Sequence, residues 1–165
     1  MNLILYYLFV YLIEAIILWL YCNRIFTSRK NTFLSLLITI GMFSLLIPVA
    51  ILTNAALNAF CSFIVYLCCI VLNYDSKPVW ALFHALALTI LMALSEGLIA
   101  AAIPDITIYA FRDGNIHSSA FTFVILSKSV YLCISQLVTR SFDEPSLASS
   151  DTSHFSPVLE RIDDR

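Results

Sequence analysis

Apolar residues along the chain fall into five runs, and each run is long enough to cross a lipid bilayer as a helix. A helix needs about 20 predominantly apolar residues to span the hydrocarbon core. The short segments between the runs carry most of the turn-forming residues and many of the charges. The pattern therefore predicts an all-α fold, a polytopic membrane bundle of about five transmembrane helices. We expect these helices at residues 3–22, 33–52, 55–72, 79–103 and 118–139.

The composition agrees with a membrane protein. Of the 165 residues, 61% are hydrophobic and only 12% are charged, whereas a soluble domain is about half apolar and a quarter charged. The composition predicts one helical membrane domain over residues 1–140. Residues 141–165 are rich in Ser, Asp and Pro, and they contain too few apolar side chains to offset the entropy of ordering. We therefore expect a disordered tail.

The basic residues predict the orientation of the bundle, because Lys and Arg near span ends concentrate on the cytoplasmic side. We place the protein in the cell membrane with its N-terminus outside and its C-terminal tail in the cytoplasm. In this orientation Arg112 is the one basic residue near a span end that lies outside. The cytoplasmic set is then Arg24, Arg29, Lys30, Lys77 and Arg140. The reverse orientation inverts this count, so we expect the first.

Three ionisable residues lie deep inside the predicted spans: Glu14, Glu96 and Lys128. A charged side chain at the bilayer centre costs about 2.5–3.5 kcal/mol or more, so such residues usually face the protein interior and find partners. At 1.5 Å per residue their depths below the outer ends are about 16, 10 and 15 Å, so either acid can reach the lysine. Two interpretations remain open. One is structural: an ion pair, or a protonated and hydrogen-bonded glutamate, helps the helices to assemble, since burial favours the neutral form of the carboxyl that is left unpaired. The other is a polar pocket, open to the outside, that binds a ligand.

Further polar residues extend the candidate ligand-binding site. Asn54 and Asn58 are four residues apart and share a helix face, although helix packing is the alternative explanation for this pair. In the same orientation, Tyr109 and Arg112 occupy an outward loop. The complete set of candidate ligand-binding residues is Glu96, Lys128, Glu14, Asn58, Tyr109 and Arg112.

Sequence motifs for catalysis or metal binding are missing. There is no glycine-rich phosphate loop, HExxH or GxSxG, and the five cysteines lack zinc-type spacing. His84 is expected to be a hydrogen-bonded packing residue. No basic patch suggests a nucleic-acid partner. We therefore expect a non-enzyme without metal or cofactor.

Several stretches resemble a known family of membrane sensors. An acid lies in the first span, YLFVYLIEAIILWLYCNRIF, and a short basic loop follows it. A long alanine-rich span contains another acid, LMALSEGLIAA, and the last stretch, FVILSKSVYLCISQLVTR, begins with an ILSK element. Over residues 1–140 this pattern resembles the N-terminal membrane sensor of GHKL-type histidine kinases, the peptide-sensing receptors of the accessory-gene-regulator and competence type.

The resemblance implies a receptor that binds a secreted peptide or small ligand and signals to a cytoplasmic partner, within a homodimer or with another signalling protein. The tail lacks the phosphoacceptor helices and the ATP-binding domain of such kinases, so kinase activity is not expected and His154 is assigned no phosphoacceptor role. The resemblance leaves three alternatives open: a truncated or kinase-less relative of these sensors, a sensor whose tail is read in a shifted frame, or a non-functional remnant of a sensor gene. The alternative function is a small-solute transport component, such as the substrate-binding subunit of a vitamin importer, although such subunits usually have six spans.

Overall fold

The computed structural model describes residues 3–52, 54–104 and 118–148, without the side chains of 118–119 and 141–148. Within these ranges the chain is almost entirely helical. The elements in chain order are α1 (Leu3–Ile25), β1 (Thr27–Ser28), α2 (Thr32–Ser44), α3 (Ile47–Ile51), α4 (Ala55–Asn73), β2 (Tyr74–Asp75), α5 (Pro78–Ala102) and α6 (Ser118–Ala148).

Five helical segments of the described residues are long and apolar enough to cross a membrane. They are Leu3–Ile25, Thr32–Ile51, Ala55–Asn73, Pro78–Ala102 and Ala120–Arg140. The second segment combines α2 and α3, and the fifth is the apolar part of α6. The predicted all-α bundle of five spans is confirmed, and the chain is a multi-pass membrane protein.

The spans pack in a closed ring that follows the chain order. Helix α1 contacts α2, α2 contacts α4, α4 contacts α5, α5 contacts α6, and α6 returns to α1. The interior is rich in large aromatic side chains, and Tyr21, Tyr66 and Tyr131 are fully buried in it. The outer surface instead carries exposed leucines, isoleucines and phenylalanines. An apolar exterior around a more polar interior is the arrangement that suits a bilayer.

The second span is interrupted near Pro48. Helix α2 ends at Ser44. The Leu45 amide donates a hydrogen bond to the Met42 carbonyl, and the Leu46 amide donates one to the Phe43 carbonyl, so both bonds reach back three residues. Proline has no N–H to continue the helical ladder, and Pro48 lies in the first turn of α3. The span therefore consists of two helices joined by a tight turn.

A two-stranded antiparallel pairing joins the loop after α1 to the loop after α4. Thr27 lies opposite Asp75, and the Arg29 Nη2 atom is 2.9 Å from an Asp75 carboxylate oxygen. The Tyr74 hydroxyl donates a hydrogen bond of 3.0 Å to Asn23, and burial raises the pKa of Tyr74 to about 12, which keeps this donor protonated. We call this side of the bundle the hairpin end, and the opposite side, where α1 begins, the N-terminal end.

Helix α6 continues beyond the boundary expected for the membrane domain. It reaches Ala148, so residues 141–148 are helical rather than part of an irregular tail. Residues 149–165, and the loop with Tyr109 and Arg112, lie outside the described residues.

Candidate functional site

Lys128 lies between two carboxylates that come from two other helices. Its Nζ atom is 2.5 Å from the Oε1 atom of Glu14 on α1 and 2.5 Å from the Oε1 atom of Glu96 on α5. The pairing of Glu96 with Lys128 that the sequence predicts is therefore present, and Glu14 joins it. We call these three side chains the ionic cluster. It ties α1, α5 and α6 together inside the bundle.

Helical spacing explains why these charges face inward. Glu14 is three residues after Tyr11 and four before Leu18, and all three are buried. Lys128 is three residues before Tyr131, which is fully buried. Residues three or four positions apart share one face of a helix. Glu14 and Lys128 therefore lie on the faces of α1 and α6 that are turned toward the bundle interior.

The two acids differ sharply in their access to solvent. Glu14 is 3% exposed and Lys128 is 2% exposed, whereas the side chain of Glu96 is 41% exposed. Glu14 and Lys128 thus belong to the interior, and Glu96 lies at its edge. A cluster with this asymmetry has a deep side and an open side.

The open side of the ionic cluster faces a cavity of about 180 Å³. Besides the cluster, side chains from four helices line it, among them Tyr6, Tyr7, Tyr11, Asn58, Met92 and Ser127. These residues lie near the start of α1, α4 and α6 and near the last turns of α5, so the cavity is at the N-terminal end. Drug-sized ligand sites are usually about 300–1,000 Å³. The cavity is therefore the size of a small molecule or of one side chain of a longer ligand.

Asn58 is at the cavity, as expected, but Asn54 has a different role. The Tyr11 hydroxyl donates a 2.7 Å hydrogen bond to Asn58 Oδ1, which joins α1 to α4 beside the ionic cluster. Asn54 is the N-cap of α4, and its side chain accepts a hydrogen bond of 3.1 Å from the Leu57 amide. Capping satisfies an amide that has no partner within the helix. The shared face of the two asparagines therefore does not bring both to the cavity.

One oxygen of the ionic cluster is buried without a hydrogen-bond partner among the residues that the structure describes. It is the Oε2 atom of Glu14, whose other oxygen contacts Lys128. Buried polar atoms are nearly always hydrogen-bonded to protein or water. This atom therefore marks a place where a donor from outside the protein can bind.

Sequence reasoning missed the tyrosines that form the wall of the cavity. Tyr7, Tyr11 and Glu14 follow one another at helical spacings of four and three, and this was the available signal. The Tyr6 and Tyr7 ring centroids are 5.4 Å apart in an edge-to-face arrangement, and those of Tyr7 and Tyr11 are 6.4 Å apart and nearly parallel. The acid in α1 thus lies next to an aromatic surface.

A second pair of buried polar side chains lies toward the hairpin end, and it contributes to the packing between helices. The Tyr21 hydroxyl and His84 Nδ1 are 2.8 Å apart and buried. The rings of Phe26 and Trp80 are within 5.0 and 6.0 Å of the imidazole centroid. The expectation that His84 is a hydrogen-bonded packing residue is confirmed.

The described residues include no cluster suited to a metal ion. No three His, Cys, Asp or Glu side chains among residues 3–52, 54–104 and 118–148 come together in the way that a metal requires. All five cysteines are free thiols.

Comparison of the chain with protein-family models, with curated proteins and with solved structures gave no match. The residues and their geometry establish a five-span membrane bundle with an ionic cluster beside a cavity at the N-terminal end.

Proposed function

We propose that this protein is a receptor-type membrane sensor domain that binds its ligand in the cavity beside the ionic cluster. The observation that carries the proposal is the asymmetry of this cluster. An ion cluster that only held helices together would be buried on all sides, whereas the Glu96 side chain is 41% exposed. The resemblance of the spans to GHKL-type sensors supports the same function.

Signalling in this proposal uses the three helices that the ionic cluster connects. A ligand group that approaches Glu96 or Lys128 changes the balance of charge between α5 and α6. A ligand shifts a conformational equilibrium only when it binds one state more tightly than the other. Because α6 extends to Ala148, its movement relative to α5 is a direct route to a signalling partner beyond the membrane.

The alternative, a small-solute transport component, has less support. A transported solute needs a route from the cavity to the hairpin end. The interior beyond Lys128 is filled by Tyr66, Leu88 and Tyr131, each less than 2% exposed. A cavity that ends on a tightly packed aromatic core favours a binding site over a passage.

Access to the cavity can be tested with a single cysteine. In a variant without native cysteines, Val10→Cys places a thiol on the cavity wall, and Leu12→Cys on the same helix places one on the exposed apolar surface. We expect the membrane-impermeant cationic reagent MTSET, added outside intact cells, to modify Val10→Cys and not Leu12→Cys. Failure to modify Val10→Cys overturns the proposed outward-facing site.

Transmission can be tested with the same modified protein. The chain has two tryptophans, and Trp80 is about 18 Å along α5 from Met92 of the cavity at 1.5 Å per residue. We expect modification of Val10→Cys by MTSET in detergent to shift the tryptophan emission. An unchanged emission spectrum overturns the sensor proposal. A small molecule that copurifies with the unmodified protein in stoichiometric amount instead indicates a transport component.

A further inference from the structure

We infer that the ligand presents a positively charged ammonium or guanidinium group, which binds between the free oxygen of Glu14, the carboxylate of Glu96 and the tyrosine wall. The inference rests on the proposed function, because it names the ligand class for the same cavity. Three independent features of the described residues lead to it: the charge count, the unpartnered oxygen and the aromatic surface.

The charge count of the ionic cluster favours a cation. Two carboxylates and one ammonium leave one negative charge in excess when all are ionised. Lys128 uses two of its three donors on Glu14 and Glu96, so little of its charge is free for an anionic ligand. A charge in an apolar surrounding is costly unless a partner compensates it. A cationic group supplies the missing partner.

The unpartnered oxygen gives the binding point. Glu14 is 3% exposed, it lines the cavity, and its Oε2 atom has no hydrogen-bond partner within the described part of the chain. An ionised carboxylate only accepts hydrogen bonds. The ligand atom that completes this site is therefore an N–H or O–H donor, and a charged N–H gives the stronger bond.

The tyrosine wall adds a second reason to prefer a nitrogen cation. Tyr6, Tyr7 and Tyr11 all line the cavity beside Glu14. Cations within about 6 Å of an aromatic ring centroid are attracted by the electrons of the ring face. A carboxylate next to aromatic faces is a surface complementary to an amine. The same chemistry belongs to a small free amine and to a lysine or arginine side chain of a peptide.

The test compares two reagents of opposite charge at one thiol. In the Val10→Cys variant, we expect the cationic reagent MTSET to react faster than the anionic reagent MTSES, relative to their rates with free cysteine, by about tenfold or more, because a charged cleft concentrates counter-ions. We expect Glu96→Gln to reduce this preference. Asn58→Asp adds a carboxylate of nearly the same shape as the amide, so it should increase the preference for MTSET. This variant leaves the three residues of the ionic cluster unchanged.

Protection by small probes gives a second readout with the cluster unaltered. We expect n-butylammonium to slow the reaction of Val10→Cys, and n-butanol and butyrate, which match it in length, to leave the rate unchanged. Protection by Nα-acetyl-lysine amide but not by n-butylammonium also supports the inference and points to a peptide side chain as the source.

The outcomes separate this inference from the proposed function. Equal relative rates for the two reagents, or a faster reaction with MTSES, overturn the cationic ligand and leave an accessible ligand cavity. No reaction with either reagent overturns both. Protection by butyrate in place of n-butylammonium also overturns the cationic ligand.

Discussion

Removal of the central charge of the ionic cluster gives the sharpest test of the structure. Lys128→Met keeps the length and the apolar part of the side chain but removes the ammonium group. Two carboxylates that share one cation, each 2.5 Å from it, are then left facing each other. Loss of one partner from a buried ion pair costs about 3–5 kcal/mol, because the remaining charge is uncompensated. We expect Lys128→Met to destabilise the protein by this amount.

The two acids should respond unequally, because they differ in exposure. Glu14 is 3% exposed, so Glu14→Gln should cost about 1.5–3 kcal/mol, the contribution of a charged hydrogen bond. The Glu96 side chain is 41% exposed, and solvent screens its attraction to Lys128. Glu96→Gln should therefore cost no more than about 1 kcal/mol. The expected order of destabilisation is Lys128→Met, then Glu14→Gln, then Glu96→Gln.

The double variant Lys128→Met with Glu14→Gln decides whether the cluster acts as a unit. Since it removes the buried unpaired carboxylate together with the lysine, it should be more stable than Lys128→Met alone. The free energy of unfolding can be measured by SDS titration in mixed micelles, followed by circular dichroism. Destabilisations that add within about 0.5 kcal/mol, as those of independent sites do, would refute the coupling. Equal losses for the two acid variants would refute the burial argument.

Three further substitutions test individual contacts in the same unfolding assay. Tyr11→Phe removes the hydrogen bond to Asn58 and should lower the free energy of unfolding by about 1 kcal/mol. An unchanged free energy of unfolding would show that this bond does not stabilise the folded bundle. Arg29→Ala breaks an ion pair with Asp75, and both side chains of this pair are at least half exposed. The free energy of unfolding should therefore fall by less than about 1 kcal/mol. A larger decrease would contradict the exposed position of this ion pair. Pro48→Ala restores an amide donor and should slow hydrogen exchange near residues 45–47; unchanged exchange would show that proline does not cause the break.

The ionic cluster could be anticipated because its cause is visible in the sequence. A charged residue within an apolar run must be compensated inside the bundle, and few candidates exist. Depths of about 16, 10 and 15 Å below the same end of the bundle then bring Glu14, Glu96 and Lys128 within reach of each other. The same reasoning from run lengths predicted five spans.

The cavity and the hairpin end could not be anticipated, because they depend on how the helices rotate and which neighbours they have. Run lengths fix where a helix lies in the bilayer but not which helices touch. Asn58 of α4 meets Tyr11 of α1 across the interior of the bundle, although α1 and α4 are not neighbours in the ring. The pairing of Thr27 with Asp75 likewise joins loops that are far apart in the chain and carry no strand-like alternation.

Because the two acids differ in exposure and in hydrogen bonding, a structural role of the ionic cluster is compatible with the proposed role in ligand binding. The Oε1 atom of Glu14 binds Lys128 inside the bundle, which is a structural contact, while its Oε2 atom has no partner within the described chain. Glu96 adds a more exposed charge at the edge of the same cavity. In the proposed complex a ligand cation at Oε2 of Glu14 shares this carboxylate with Lys128, which contacts Oε1. We therefore expect binding to weaken the contact that holds α6 to α1, so that ligand binding and helix packing are coupled through one carboxylate.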